Sequence, residues 1–539
     1  MTSLFAIAEV EHGLGEPYSF GMECTRFATS GMVCTVDHLA SATGLVMLDR
    51  GGSAADAVIA ANAVLAVTAP HACGLGGDLF ALVHAGTGSP RALNASGRSG
   101  SGADPHRLRA EGRGRMPFQR DIRSVPVPGC ADGWLALHAR YGRLPLDELL
   151  APAIRYADEG FPASPMLAPA AGVLPGVGAP VEPGTLIRRP GVARAMRALV
   201  GGGREGFYLG EFGRGLLALG RDGTVGGSAE GEYDEADLAR VNADWVEPLR
   251  ARAFGHDLWT IPPNSQGYLV LLAAAIADGL DLPRDPADPL WAHLLAEAAR
   301  AAGHDRPDVL FEGASVDGVL ASAAERRAAI DPSRRARLRD LVAPGDTTYL
   351  CAVDADGMGV SLIQSNAAGF GSMLFEPATG INLHNRGIGF SLEPGHPAEY
   401  GPGRRPPHTL APALVTRPDG SLRTVLGTMG GDSQPQIVLQ VLARLLVAGE
   451  SPGQAIAAPR WRLGPGLTGF DAWSDPDEAS VDLEEGAPWA EGLRERGHDV
   501  KGLPYGGSFG HAHLIDVRPD GVLAGAADPR ALISSAAGR

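Results

Sequence analysis

The chain reads as an α+β protein, and three observations carry that reading. Residues 346–365 fold on paper into a β-hairpin, with one strand over 347–353, turn residues at 354–357 and a second strand over 358–365. Two further hairpins follow. One pairs 410–416 with 422–428 about Pro418-Asp419-Gly420, and one closes about Pro519-Asp520-Gly521. Long stretches of helix-forming residues lie between these strands.

In chain order, 38–49 and 54–67 are helices separated by the Gly51-Gly52 break. The glycine cluster CGLGGD at 73–78 precedes a strand and lacks GK[ST], so it is not a phosphate loop. Helices are expected at 134–141 and 146–157. Residues 161–186, rich in Pro, Ala and Gly, read as a surface excursion. Further helices cover 191–199, the surroundings of Leu216, 268–278, 290–302 and 316–341. The last runs down to the loop APGD at 343–346. Met429-Gly430-Gly431-Asp432 joins a strand to a helix over 435–448. Asp432 or Ser433 suits the N-cap, and Pro435 the first turn.

Length alone, 539 residues, suggests two to four domains. A hydrophobic fraction of 45% supplies a large core. The net charge of −16 argues against nucleic acid, which needs a basic face. The local basic cluster at 325–340 reads as an exposed helix. Five scattered cysteines without a CxxC point to reduced thiols and a cytoplasmic protein. The first residues, MTSLFAIAEVEHGLG, lack the pattern of a signal peptide, and no apolar run reaches 18 residues, so no membrane span is expected. The expected partner is a small-molecule substrate.

The chemistry starts at Thr347. It opens a strand after a loop, and the hairpin brings Ser365 within about one residue of the position opposite, roughly 5 Å across the strands. Cleavage between Asp346 and Thr347 would free an α-amino group that titrates near 7.7–8.0 and could serve as base for the same residue's hydroxyl. Taken alone, the hairpin equally describes a half-buried sheet edge. Gly430 and Gly431, between a strand and a helix N-terminus, either expose N–H groups to a developing anion or serve a tight turn. His511 and His513 alternate on a strand with no third ligand nearby and read as structural, so no metal is expected. Asp354 and Asp356 resemble a calcium loop but lack its third acid and distal Glu. No cofactor is implied.

Longer motifs sharpen this. They are GMVCTVDHLASATGLVMLDRGGSAADAVIAANAVLAVTAPHACGLGGD (31–78), SVPVPGCADGWLALHARYGRLPLDELLAPAIRYADEGFP (124–162), GDTTYLCAVDADG (345–357), RRPPHTLAPALV (404–415), GTMGGDSQPQ (427–436) and GAADPR (525–530). In order and spacing they resemble the γ-glutamyltransferase (γ-glutamyl transpeptidase) family of N-terminal nucleophile hydrolases over nearly the whole chain. NRG at 385–387 and GTMGGDSQPQ look like its amidohydrolase and acylase branch, to which oxamate amidohydrolase belongs.

The resemblance implies a four-layer αββα sandwich made from one precursor. Autocleavage would yield a large subunit, 1–346, and a small catalytic subunit, 347–539, with a homodimer of the processed pair left open. It selects Thr347 over Thr348 as nucleophile, because the family's scissile bond precedes the first Thr of the pair. Ser365 aligns with a threonine that contacts the nucleophile, and Gly430 and Gly431 with the oxyanion hole. Asn366 lies one position before the family's substrate-holding asparagine, where this chain has Ala367, and on a strand one residue is a change of face. Arg98 corresponds loosely to an arginine that grips a substrate carboxylate. His408-Thr409 replaces a Ser-Ser pair. The segment 384–390, HNRGIGF, lacks the acid that holds a glutamyl ammonium, and Arg386 stands where a neutral residue is usual. Arg386 is then either a carboxylate-binding group or the partner of an internal acid.

These departures favour a self-processing threonine hydrolase of a small acylamide with an anionic acyl group. Three alternatives stay open: a γ-glutamyl transferase or hydrolase, an enzyme removing an oxalyl-like group by C–C cleavage, and a non-catalytic homologue.

Overall fold

Alternating apolar strands build two seven-stranded antiparallel sheets in the computed structural model, which describes residues 24–221, 232–336, 346–464 and 480–539. The strands are β1 (Arg26–Ala28), β2 (Gly31–Thr35), β3 (Asp78–Ala85), β4 (Arg91–Ala95), β5 (Asp244–Val246), β6 (Leu249–Ala253), β7 (His256–Thr260), β8 (Asp346–Asp354), β9 (Met358–Ala367), β10 (Ala413–Thr416), β11 (Leu422–Thr428), β12 (Ala512–Val517), β13 (Leu523–Ala527) and β14 (Ser535–Gly538). One sheet runs β14-β2-β8-β9-β3-β4-β5. The other runs β1-β13-β12-β11-β10-β7-β6.

Helices cover both outer faces. Against the first sheet lie α1 (His38–Asp49), α2 (Ala54–Thr68) and α3 (Cys130–Tyr141), backed by α4 (Leu146–Glu159) and α5 (Pro190–Tyr208). Against the second lie α6 (Tyr268–Ala277) and, packed with it, α7 (Pro289–Gly303) behind and α8 (Gln434–Ala443) beside it. Every residue of α2 is buried, which its run of alanines permits, and a capping box between Ser53 and Asp56 closes its N-terminus. The result is a four-layer αββα sandwich.

Period two sorts the side chains. On β8, Leu350 and Ala352 face the helices, while Tyr349, Cys351 and Val353 face the second sheet. On β9 and β3 the same division sends Leu362 and Ala81 outward and Ile363, Phe80 and Leu82 inward. The core crosses position 346 freely. Strand β8 lies between β2 and β9, and β9 between β8 and β3. The chain is thus one interleaved sandwich, not the two to four domains that length suggests.

Local expectations fared unevenly. The segment expected as one helix over 316–341 splits into Asp317–Ala321 and Ala323–Ala328, and the chain leaves helix before Asp331-Pro332, where the proline disfavours helical backbone at Asp331. Residues 337–341, most of the loop at 343–346 and the end of the basic cluster lie outside the described residues. Arg327 in that cluster is not a solvated charge. It donates to the carbonyls of Ala275 (2.6 Å) and Ile276 (2.9 Å) at the C-terminus of α6. The excursion at 161–186 anchors Phe161, Leu167 and Ala171 in the helix-side core. Ser433 occupies the N-cap of α8 without a side-chain capping bond.

Candidate active site

The hairpin that begins at Thr347 carries a β-bulge. Asp346 pairs with Ala367 and Thr348 with Gln364, so two residues, Ser365 and Asn366, oppose Thr347. The bulge puts the Thr347 and Ser365 hydroxyls 3.1 Å apart on the inter-sheet side. Thr348 turns away, and its hydroxyl donates to Gln364 O at 3.3 Å. Asn366 also leaves the row: its amide donates to Pro70 O at 3.0 Å. Ser365 Oγ accepts the N–H of Ala367, which takes φ +75°, a conformation imposed where the bulge ends the strand.

The next strand extends the row. Asp78, the first residue of β3, is paired with Ser365. Partners in an antiparallel ladder share a face, so Thr347, Ser365 and Asp78 line up across β8, β9 and β3 at the end of the inter-sheet layer. Asp78 gathers the charged residues. Its Oδ2 accepts from Arg386 Nε (2.9 Å) and His408 Nε2 (2.7 Å), and His384 Nδ1 lies at 3.4 Å. His408 Nδ1 accepts the Leu410 N–H, which leaves Nε2 as the protonated nitrogen facing Asp78. Arg386 Nη1 reaches the Thr409 hydroxyl at 3.2 Å.

All these groups are buried. Burial pushes the Asp78 carboxyl up, but Arg386 and then His408 pull it well below the usual carboxylate range. Burial, and then the Arg386 charge, push His408 down to about 4, so it is neutral at pH 7. Burial lowers Arg386 from its ordinary value, and Asp78 opposes that. Asp78 and Arg386 therefore form a buried ion pair, which meets the second of the two readings of Arg386.

The facing sheet closes the site. At the end of β11, Gly430 and Gly431 take φ +139° and +56°, values open to glycine. Among the described residues, no turn or loop hydrogen bond uses the N–H of either glycine. Asp432 does not cap α8; it accepts from Arg306 Nη2 at 2.6 Å. Gln266 Nε2 donates both to Thr409 O (2.8 Å) and to Gly431 O (3.0 Å). Contacts thus run from Thr347 through Ser365, Asp78, Arg386, Thr409 and Gln266 to Gly431. A cavity is lined by Asp37, His71, Thr347, Thr348, Met429 and His511.

Arg98 does not join this group. Glu312 Oε1 (2.6 Å) and Gly403 O (3.1 Å) take its guanidinium. His511 and His513 are buried, and burial pushes them down to about 4 and about 3. The Asp354 carboxylate caps its own turn by accepting from Asp356 N–H and Met358 N–H, and it also accepts from Ala54 N–H. Among the described residues, metal-ligating side chains cluster instead at His293, Glu297 and His498. There the two rings share a hydrogen bond of 2.8 Å, and Arg300 and the Ala336 N–H occupy the carboxylate.

Sequence reasoning missed Asp78, His384 and Gln266. The signal for Asp78 was present, since an acid at the start of an otherwise apolar strand must find a cation when buried. His384 and Gln266 carried no comparable signal.

Comparison with known proteins agrees with this geometry. The sequence model of the family described as Gamma-glutamyltranspeptidase matches residues 40–537. An oxamate amidohydrolase proenzyme of Klebsiella pneumoniae is 35% identical, over 94% of this chain and 98% of that one. A glutathione hydrolase-like YwrD proenzyme of Bacillus subtilis is 33% identical over the same shares. The crystal structure of a cephalosporin acylase from Bacillus halodurans superposes with a TM-score of 0.87 at 33% identity, covering 98% of this chain and 99% of that one.

Proposed function

The chain belongs to the γ-glutamyltranspeptidase family, and on that premise we propose that it is a threonine amidohydrolase preferring small acylamides without an α-ammonium, with oxamate as the leading candidate. Its relatives are proenzymes, so it is a self-processing amide hydrolase whose precursor is cut into two subunits, and the non-catalytic alternative falls away. Cleavage between Asp346 and Thr347 gives residues 1–346 and 347–539. In the uncleaved chain the Thr347 nitrogen is an amide. The hydroxyl attacks the Asp346 carbonyl carbon, the C–N bond breaks with the proton passing to nitrogen, and water then hydrolyses the ester. The freed amine becomes the base for substrate turnover, and the Gly430 and Gly431 N–H groups receive the oxyanion.

The observation that carries the substrate class is the contiguous row Thr347–Ser365–Asp78, with Arg386 and His408 gathered on the Asp78 carboxylate. That carboxylate is already taken by Arg386 and His408, so an α-ammonium finds no open acid there, whereas the guanidinium of Arg386, which pairs with Asp78 through Nε, and the Thr409 hydroxyl present polar groups to a carboxyl or carboxamide. Oxamate also comes from the oxamate amidohydrolase relative. The test is a panel of oxamate, succinyl, glutaryl and γ-glutamyl amides with Thr347→Ala as the blank. Fastest turnover of an amine-free acid amide supports the reading. Fastest turnover of γ-glutamyl-p-nitroanilide replaces it with γ-glutamyl hydrolysis, the second reading, which the glutathione hydrolase-like relative favours. A cytoplasmic location, suggested by sparse cysteines, and a homodimer of the processed pair belong to the same proposal. Cell fractionation and sedimentation test them. Among the described residues, no helix is long and apolar enough to cross a membrane.

A further inference from the structure

A pair of glycines is the least restrained backbone a chain can place at a reaction centre. The turn at Gly430-Gly431 is held partly by its own bonds, Ser433 N–H to Gly430 O (3.0 Å) and Gln434 N–H to Gly431 O. A further restraint on it comes from the N-terminal part of the chain. Gln266 is fully buried. Both acceptors of its Nε2, Gly431 O and Thr409 O, are carbonyls, so only the NH2 end of the amide can face them. Its backbone is seated on the same segment: Gln266 N–H donates to His408 O (2.9 Å), and His408 N–H to Asn264 O (2.7 Å). Gly267 fits because a Cβ there would lie 2.2 Å from Thr260 Oγ1, so the segment rests directly on β7. One residue beyond Gly431, the buried pair of Arg306 and Asp432 anchors the turn a second time.

We propose that Gln266 is a positioning residue for acyl transfer: its side-chain amide holds the Gly431–Asp432 peptide against Thr409 and so limits how far Gly431, whose own N–H is an oxyanion donor, can turn, which makes the large product align the donors of the small one. This rests on the reading of Thr347 and Gly430-Gly431 as the reaction centre. It also assigns the tight association of the two products a role in turnover, beyond stability.

The test uses the processed enzyme, the panel amide hydrolysed fastest and its thioamide counterpart. Sulfur accepts hydrogen bonds weakly, so a well-aligned oxyanion site discriminates against it. Gln266→Met keeps length and apolar bulk and removes the donor. The expected result is a fall in kcat of roughly 10- to 100-fold, with KM within about twofold and a collapse of the amide-to-thioamide rate ratio. Should that variant fail to fold, Gln266→Asn keeps an amide too short to span both carbonyls and carries the same expectation. An unchanged kcat, a loss confined to KM, or a lower kcat with an unchanged thioamide ratio overturns the assignment. Failure of the underlying reading looks different: Thr347→Ala would still turn over the amide.

Discussion

Two ends of the site are built by opposite means. Thr347 and Ser365 sit 18 residues apart on one hairpin and meet through strand pairing and a single bulge. Asp78 meets Arg386 and His408 across separations of 308 and 330 residues. The first end is uncharged and forms with the hairpin. The second is a charge cluster that exists only when both sheets and their loops are in place. The difference teaches where robustness lies. On the proposed function, bond breaking rests on local geometry, while selectivity and part of the stability rest on a buried ion pair whose members are costly to leave alone.

The comparison can be broken at its strongest point first. Thr347→Ala should stay a single full-length band and show no turnover, and Thr347→Ser should still process. N-terminal sequencing of the smaller wild-type product should begin at Thr347; any other start moves the nucleophile. Next in size is Asp78→Asn. It leaves the Arg386 charge buried and uncompensated, and should cost about 3–5 kcal/mol in denaturant unfolding at pH 7. A loss below about 1 kcal/mol would mean that the pair does not hold the cluster.

The pH dependence has a definite sign. The Asp78 carboxyl is held below its unfolded value, so its contribution is present above about pH 3.9 and fades as pH falls through the folded value. The gap between wild type and Asp78→Asn should therefore narrow below about pH 4. Parallel stability curves across that range would remove Asp78 from acid unfolding.

Gly431→Val forces a β-branched residue to φ +56° and turns an oxyanion donor aside. The barrier should rise by about 2.7–4 kcal/mol, a rate loss of roughly 10²–10³. Near-normal turnover in a folded, processed variant would assign the glycines to turn geometry alone.

The smallest effect sharpens the charged end. Arg386→Gln by itself orphans Asp78 and mixes stability with selectivity. The double variant Asp78→Asn with Arg386→Gln removes both charges, so most of the lost stability should return. Its preference for amine-free acid amides over γ-glutamyl amides should drop by about 10- to 100-fold, the size of one charge-assisted contact. An unchanged preference would make the ion pair purely structural.

Much of this was legible in local pattern. The helix at 38–49 has those bounds in the structure, and the neighbouring one, read as 54–67, ends one residue later at Thr68. The hairpin of β8 and β9 turns where the 354–357 residues require. The strand, glycine pair and helix at 422–443 follow in the order that their residues dictate. Other features misled. The segment 316–341 has helix-forming composition, but a proline and long-range contacts of Arg326 and Arg327 break it. Asp432 looks like a cap and instead serves Arg306.

By itself, then, the sequence determined what depends on neighbours a few residues away: period-two strands, Ala-rich helices, turns, and a Thr–Ser pair folded face to face by one hairpin. Only the tertiary structure decided which charges neutralise which. Arg386 carries no mark in its own segment of whether it will meet a substrate or Asp78. That choice is made when β3 docks beside β9 and the 406–410 segment lays His408 over it, because burial makes an unpaired charge costly and the nearest acid settles the pairing.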